Sequence, residues 1–227
     1  MIKKMMHFWS EERSLTTLLV LLVINLFVLA PMIREGVGTT LMKDTFFSLL
    51  LLAGLLTMTG HKTLQIGFFL FIALTIIVHW ARIAFGTVGL SGWDALLSMV
   101  SLCAFTMVVL WQVNRKGPVT GHRVRGAVAG YLLLGLTCAY AYSLIDLLIP
   151  GAFQMSAADL QSRKASDAFL YFSIVTLTTL GYGDITAVHP VARSVVMMEA
   201  LLGQLYPAIL IARLVTLQME TRKNKAA

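Results

Sequence analysis

Charged side chains are scarce in this chain, and the scarcity excludes an ordinary soluble domain. Asp, Glu, Lys and Arg make up 13% of its 227 residues, while hydrophobic residues reach 58%. A soluble domain carries about 25% charged residues and can bury its apolar side chains in one core. The composition therefore predicts an integral membrane protein. The net charge of +7 does not indicate a nucleic-acid partner, because the basic residues lie in short tracts beside apolar runs.

Cysteine and the common catalytic motifs are also rare or absent. The two cysteines, Cys103 and Cys138, both fall inside apolar runs, which speaks against a structural disulfide, and there is no CxxC or Cys/His zinc spacing. The sequence has no HExxH, no GxSxG and no paired intramembrane carboxylates. It therefore predicts neither an enzyme nor a bound organic cofactor.

Six apolar runs approach or exceed the ~20 residues that a helix needs to cross a bilayer. They are Leu15–Ile33, Thr45–Thr59 with Leu41, Met42 and Lys43 added in front, Leu64–Ala81, Leu90–Val113, Val128–Ile149 and Ala187–Leu217. Lysine and arginine concentrate in the N-terminal tail, in the loop between the fourth and fifth runs, and in the C-terminal tail. The positive-inside rule then predicts that both termini are cytoplasmic.

A tract of different character separates the fifth and sixth runs. Residues 167–178 form a short, half-apolar stretch that predicts a ~12-residue helix with Ser166 or Asp167 as its N-cap, too short to span a bilayer. The polar sequence TLTTLGYGD, residues 176–184, overlaps its end. Backbone that leaves a helix at membrane depth is tolerated only where protein or a water-filled cavity receives it. The pattern predicts a re-entrant segment whose alternating glycines can turn successive carbonyls toward one axis.

The stretch SIVTLTTLGYGDI, placed after a short helix and between two apolar runs, resembles the pore domain of tetrameric potassium channels. The resemblance covers about residues 128–215. It implies an all-α membrane protein with six transmembrane helices, a re-entrant pore helix and a selectivity-filter loop, assembled as a homotetramer. The predicted units are an N-terminal four-helix membrane region with a basic linker (1–125), a pore domain (126–217) and a short cytoplasmic tail (218–227).

The resemblance implies a function for each residue of the filter. Potassium ions are expected to bind the hydroxyl and carbonyl oxygens of Thr179 and the carbonyl oxygens of Leu180, Gly181 and Tyr182. Gly183 is expected to let the chain turn outward. Leu180 is a departure from the family pattern, which usually has valine or isoleucine there, and its carbonyl is still expected to face the ions.

Further residues are expected to support the filter or form its outer mouth. The supporting positions are Tyr171, Phe172, Val175 and Thr178. The Tyr182 ring is expected to pack against Tyr171 and Phe172. Val175 occupies the place of a carboxylate found in some relatives, which argues against filter inactivation of that kind. Asp184 is expected at the outer mouth, where it either concentrates cations or anchors the filter.

The inner helix carries the expected cavity and gate residues. Gly203 falls where the family often has a hinge glycine, and Pro207 opposes its carbonyl, so this point is interpreted as a gating hinge or a static kink. Gln204 is expected to face the cavity, followed by Ala208 and Ile211. Glu199 either lines the upper cavity or hydrogen-bonds to the pore helix, and the alternative is a neutral buried acid satisfied by neighbouring threonines.

The first four runs match a voltage sensor in number but not in chemistry. The fourth run, Leu90–Val113, has no lysine or arginine, so voltage sensitivity is expected to be weak or absent. His122, in the linker VNRKGPVTGHRVR, is a candidate pH sensor or simply a solvated residue. The linker itself either binds anionic lipid or only sets the topology.

The resulting functional hypothesis is a potassium-selective channel in a bacterial inner membrane, which conducts K+ passively. The alternatives are a weakly selective cation channel and, from another class, a transporter or non-conducting membrane sensor. A transporter is disfavoured because such folds show repeated halves with broken helices, and the sequence predicts a single broken element.

Overall fold

The computed structural model describes residues 15–29, 31–32, 40–57, 62–85, 88–114, 121–155 and 165–226. The structure of these ranges is almost wholly helical. In chain order the helices are α1 (Leu15–Leu29), α2 (Thr40–Thr57), α3 (Lys62–Phe85), α4 (Ser91–Asn114), α5 (Gly121–Leu148), α6 (Ala165–Leu177) and α7 (Pro190–Ala226). The end of α1, Asn25–Leu29, is π-helical, and a 3₁₀ turn, Val88–Leu90, precedes α4.

Within these ranges four helical stretches are long and apolar enough to cross a membrane. They are Ile66–Phe85, Ser91–Asn114, Arg123–Leu148 and Pro190–Arg213, and they correspond to the third to sixth predicted spans. The first predicted span is represented by the shorter apolar helix α1 and the second by α2, which begins five residues before Thr45. The end of the first span at Ile33 and that of the second at Thr59 lie outside the described residues. Four spans are therefore found, and the count of six stays a prediction.

The helix boundaries bear on three sequence-based expectations. Helix α5 begins at Gly121, so the predicted linker ends inside a helix and the boundary between residues 125 and 126 is not a loop. Helix α6 already includes Ala165, so neither Ser166 nor Asp167 is its N-cap. Helix α7 continues to Ala226, which makes most of the predicted tail helical. Such errors are common, because helix ends are set by local capping and packing that periodicity does not record.

A small β-sheet was not expected in an all-α protein. Strands β1 (Phe153–Gln154) and β2 (Thr186–Ala187) pair antiparallel, with Phe153 opposite Ala187. Ala187 is therefore in a strand and not in the last span, which begins with Pro190 at its first helical position, where the missing N–H is harmless. Each strand has two residues, too few to show the alternation of apolar and polar residues by which a strand is predicted. The sequence therefore could not predict this sheet.

Two apolar cores hold the helices together. The first joins α1, α2, α4 and α5 around fully buried side chains that include Leu18, Leu51, Phe105 and Leu133. The second lies between α5, the β-sheet, α6 and the start of α7, and it is rich in aromatic residues, including Tyr142, Phe153, Phe169 and Phe172. The second core anchors α6 and both strands, and so it positions the glycine-rich tract that follows α6.

Candidate functional site

Helix α6 is held between α5 and α7 at two glycines. A Cβ atom at Gly203 of α7 would lie 2.1 Å from the carbonyl oxygen of Leu177, the last residue of α6. A Cβ at Gly135 of α5 would lie 2.9 Å from Cδ1 of Ile174. Because no side chain fits at Gly203, the backbone of α7 touches the backbone of α6 directly. The glycine that sequence analysis interpreted as a hinge thus has a packing function.

Two tyrosines that sequence analysis missed add hydrogen bonds at this junction. The Tyr131 hydroxyl of α5 lies 2.9 Å from the Leu177 carbonyl and 3.4 Å from the Gly203 carbonyl. The Tyr206 ring of α7 stacks on the Tyr131 ring, and its hydroxyl donates to the Ala127 carbonyl at 2.9 Å. Helices α5, α6 and α7 are therefore tied together at the C-terminal end of α6. No sequence signal distinguishes these tyrosines from other apolar-run tyrosines.

The chain leaves α6 through a turn built on the Val175 carbonyl. That oxygen accepts the N–H of Leu180 at 2.9 Å and the N–H of Gly181 at 3.4 Å. The Ile174 carbonyl of the last turn accepts both the Thr178 hydroxyl, at 2.7 Å, and the Thr178 N–H, at 3.0 Å. Val175 itself is buried. Val175 and Thr178, two of the predicted supporting residues, thus fix where the glycine-rich tract begins.

The tract itself has an alternating backbone. Left-handed φ values occur at Thr179 (62°), Gly181 (56°) and Gly183 (81°), whereas Leu180 and Tyr182 between them have negative φ. Thr179 is the one non-glycine residue with positive φ in the described part of the chain, and this conformation is uncommon for a β-branched residue. Alternation of this kind can point successive carbonyl oxygens to the same side of the chain, whereas a regular strand points them to opposite sides.

The side chains of the tract are exposed within the single chain. Leu180 is 58% exposed and Tyr182 is 68% exposed. Phe172 is instead buried against Tyr142 and Phe153 of its own chain, with ring centroids 5.2 and 5.9 Å away. Helix α6 thus turns Phe172 toward α5 of its own chain. The packing of Tyr182 on Tyr171 and Phe172 stays a prediction.

The outer end of the tract is anchored by the β-sheet. Ile185 is buried in the aromatic core, and Asp184 just before it accepts the N–H of Ile185 on Oδ1 at 3.1 Å. The N–H groups of Val188 and His189 bind the Ala152 carbonyl, at 2.9 and 3.2 Å. Asp184 is exposed, as expected for a residue at an outer mouth.

Glu199 of α7 is fully buried, so it does not line a cavity. Its Oε1 atom is hydrogen-bonded to the Ser173 hydroxyl of α6, and its Oε2 atom accepts from the Tyr142 hydroxyl of α5. The expected bond to the short helix before the glycine-rich tract, α6, is therefore present. The partners are a serine and a tyrosine, and the threonines that sequence analysis considered are not involved.

The remaining inner-helix candidates lie on a continuous helix. Residues 190–226 form one helix that includes Pro207 as well as Gly203. Gln204, Ala208 and Ile211 are exposed within the single chain, and their place in a cavity stays a prediction.

A second buried polar cluster, far from the glycine-rich tract in sequence, was not predicted. The Nδ1 atom of His79 lies 2.8 Å from Asp94 Oδ1, and its Nε2 atom lies 3.2 Å from Asp44 Oδ1. Arg82 Nε binds the other oxygen of Asp94 at 2.7 Å. The cluster joins α2, α3 and α4. Within the described ranges, no group of three or more His, Cys, Asp or Glu side chains could hold a metal ion.

The candidate site lies in a part of the chain that is similar to a known protein family. Residues 131–220, from within α5 to near the end of α7, match the model of a family described as "Ion channel". The matched segment contains α6, the glycine-rich tract and the junction at Gly203, and it omits α1 to α4.

Curated relatives match over a similar length. The chain is 35% identical over 94 residues to two pore potassium channel c of rice (Oryza sativa subsp. japonica), with 41% of this chain and 18% of the relative covered. It is 34% identical over 88 residues to protein LctB of Geobacillus stearothermophilus and 32% identical over 90 residues to protein LctB of Bacillus caldotenax. Those alignments cover 38% and 39% of this chain, and 63% and 66% of the two relatives. No solved structure matches the chain.

The matched segment and the four apolar helices characterise the chain at a coarse level. The helices are those of an integral membrane protein. Residues 131–220, which hold the whole candidate site, match an ion-channel family, and this similarity indicates a channel protein and not an enzyme.

Proposed function

We propose that this chain forms a potassium-selective channel in which four copies each contribute one glycine-rich tract. The observation that carries the proposal is the alternating backbone at Thr179, Gly181 and Gly183. Rings of carbonyl oxygens around an axis can replace the hydration shell of K+. A backbone with alternating φ supplies such oxygens in a column, and four chains would turn each column into a set of rings.

The proposed ligands are those that the tract can present to its axis. They are the hydroxyl and carbonyl oxygens of Thr179 and the carbonyl oxygens of Leu180, Gly181 and Tyr182. The negative end of the α6 dipole, at Leu177, would favour a cation near the inner end of the tract. Asp184, which is exposed, would attract cations at the outer end. Potassium is here the transported ion and not a resident cofactor.

The placement of the α6–tract segment supports the proposal further. The segment is locked to α5 and α7 through Gly135, Gly203, Tyr131 and Glu199. A filter selects an ion through the carbonyl oxygens that replace the hydration shell of that ion, and a packed support keeps these oxygens around the axis. The relative from rice carries the words "potassium channel" in its name, which agrees with K+ as the ion.

The proposed location is a bacterial inner membrane, with both termini in the cytoplasm. Basic residues at both ends and before α5 favour this orientation by the positive-inside rule. The tract then enters the membrane from the outside. Anionic lipid is the proposed partner of the basic residues between α4 and α5.

Potassium flux in liposomes tests the proposal, with Gly181→Ala as the decisive variant. A Cβ at Gly181 would meet nothing within 4 Å in the chain, but its φ of 56° is one that alanine rarely adopts. The substitution is therefore expected to abolish K+ flux by changing the backbone of the tract. The matched control is Gly67→Ala in α3, where a Cβ also meets nothing and the helix is regular.

Three results would contradict the proposal. One is K+ flux that survives Gly181→Ala. The second is the absence of any flux from the folded wild-type protein, which would favour a non-conducting sensor. The third is a flux that does not distinguish K+ from Na+, which would favour a weakly selective cation channel.

A further inference from the structure

Three helices meet at the carboxyl group of Glu199. Oε1 faces the Ser173 hydroxyl of α6, and Oε2 faces the Tyr142 hydroxyl of α5. The Ser173 hydroxyl also lies 2.6 Å from the carbonyl oxygen of Gly135, on α5. Glu199 and Ser173 are both fully buried within the chain.

The Ser173 oxygen has two contacts, and two separate hydrogen bonds there need two hydrogens. The Ser173 hydroxyl supplies one, and an ionised Glu199 supplies none. The Ser173 oxygen is within hydrogen-bond distance of two other oxygens, and its hydroxyl has a single hydrogen. The Gly135 carbonyl has no hydrogen to donate, so a hydrogen bond in that contact uses the Ser173 hydrogen. A separate hydrogen bond between Ser173 and Glu199 then needs a hydrogen on the carboxyl group.

The neighbours of the carboxyl group cannot supply that hydrogen. Tyr142 donates to Oε2, the other oxygen. Cys138 lies beside the Glu199 carboxyl group, and its single thiol hydrogen cannot also fill the contact between Ser173 and Glu199. Among the described residues, no lysine, arginine or histidine forms an ion pair with Glu199. An ionised carboxylate buried without a cation costs several kcal/mol.

We propose that Glu199 is an uncharged, protonated carboxylic acid that acts as a positioning residue for the filter. Its hydroxyl donates to Ser173, Ser173 donates to Gly135, and Tyr142 donates to the carboxyl carbonyl oxygen. These hydrogen bonds link α7 to α6 and both helices to α5, and so they fix the spacing between the three helices. The role in conduction rests on the proposed function, whereas the protonation state does not.

The arrangement explains which substitutions should be tolerated. Glutamine is uncharged and of the same size, so its NH2 group can donate to Ser173 while its carbonyl accepts from Tyr142. Alanine leaves both hydroxyl groups without this partner, and aspartate is shorter by one methylene. The matched comparison is therefore Glu199→Gln against Glu199→Ala.

Infrared difference spectroscopy of the full-length protein in lipid tests the protonation state directly. At neutral pH, the wild type minus Glu199→Gln spectrum is expected to contain the C=O stretching band of a protonated carboxylic acid. That band should shift in Ser173→Ala, which removes its acceptor, and stay unchanged in Asp146→Asn, which changes a carboxyl group elsewhere on α5. A difference spectrum with only carboxylate bands, or a protonated band that Ser173→Ala leaves unshifted, would overturn the inference.

Ion flux in liposomes tests the positioning role. Glu199→Ala is expected to lose K+ selectivity or flux, and Glu199→Gln is expected to restore both. Loss of both in the glutamine variant as well would overturn the positioning role. If neither the variants nor the wild type conducts, the proposed channel function fails, and the infrared band still decides the protonation state.

Discussion

At the scale of single residues, Gly203 is the position where side-chain size matters most. The nearest backbone atom of α6 is 2.1 Å from the place of a Cβ, closer than any real Cβ contact. Since the neighbour is a backbone carbonyl at the end of a packed helix, it cannot move aside cheaply. The absence of a side chain at Gly203 is thus required by packing, whether or not α7 also bends there.

Gly203→Ala is predicted to destabilise the protein by about 1–3 kcal/mol, the usual cost of overpacking a core. Gly67→Ala in α3 is the matched control. A Cβ there meets nothing within 4 Å, and alanine improves helix propensity by about 0.5–1 kcal/mol. Thermal unfolding in detergent, followed by circular dichroism, compares the two. Equal melting temperatures for both variants would show that α6 and α7 are not in direct backbone contact.

At the scale of elements, the cluster around His79 joins three helices that have weak amphipathic patterns. Both ring nitrogens of His79 face carboxylate oxygens, and Asp94 also binds Arg82. Asp94 is the common partner, since it binds two residues of α3 from its place in the first turn of α4. The pairing of α3 with α4 therefore has an ionic component beside its apolar contacts.

Asp94→Asn is predicted to lower stability by about 1–3 kcal/mol, because it takes the carboxylate away from Arg82 and leaves His79 with Asp44 as its one remaining carboxylate partner in this cluster. Asp146→Asn is the matched control, a half-buried carboxyl group on α5. Thermal unfolding of both variants measures the difference. Equal stabilities would show that the cluster does not hold α3 to α4.

The lack of basic residues in helix α4 bears on voltage sensitivity. The helix contains no lysine or arginine over Ser91–Asn114. A charge that crosses the membrane field contributes only about 2.3 kcal/mol per 100 mV, so steep voltage gating needs several basic residues on one helix. Conductance in planar bilayers is therefore predicted to change little with voltage. A steep rise on depolarisation would contradict this prediction.

The elements also show how far the sequence could predict the structure. Long apolar runs predicted α3, α4, α5 and α7 well, because hydropathy is summed over some 20 residues. The φ alternation after α6 agrees with the glycine spacing at positions 181 and 183. By contrast, the junction through Tyr131, Tyr142 and Ser173 was missed, because hydrogen bonds between helices depend on rotation and register that apolar runs leave open.

At the scale of the whole molecule, one chain leaves a functional surface open. The glycine-rich tract is exposed, and α7 presents an apolar stripe at four-residue spacing, made of Met197, Leu201, Leu205 and Ile209. Side chains four apart lie on one face of a helix. The stripe lies on the same helix as the junction at Gly203, so neighbouring copies could cover both it and the tract.

A tetramer is the predicted assembly, measurable by native mass spectrometry from lipid nanodiscs. Leu205→Arg is expected to dissociate it, because a charge would be buried between copies. Ile77→Arg, at a comparably exposed position of α3, is expected to leave it intact. A monomer or dimer of wild type that still conducts K+ would contradict the assembly.

We propose that the tract TLGYGD selects K+ through backbone carbonyl oxygens held by an alternating backbone. Reversal potentials of the reconstituted protein in planar bilayers, with K+ on one side and Na+ on the other, test this selectivity. We expect a reversal potential that follows the K+ gradient and a current that Gly181→Ala abolishes. A reversal potential near zero, or a selective current that persists in Gly181→Ala, would contradict it.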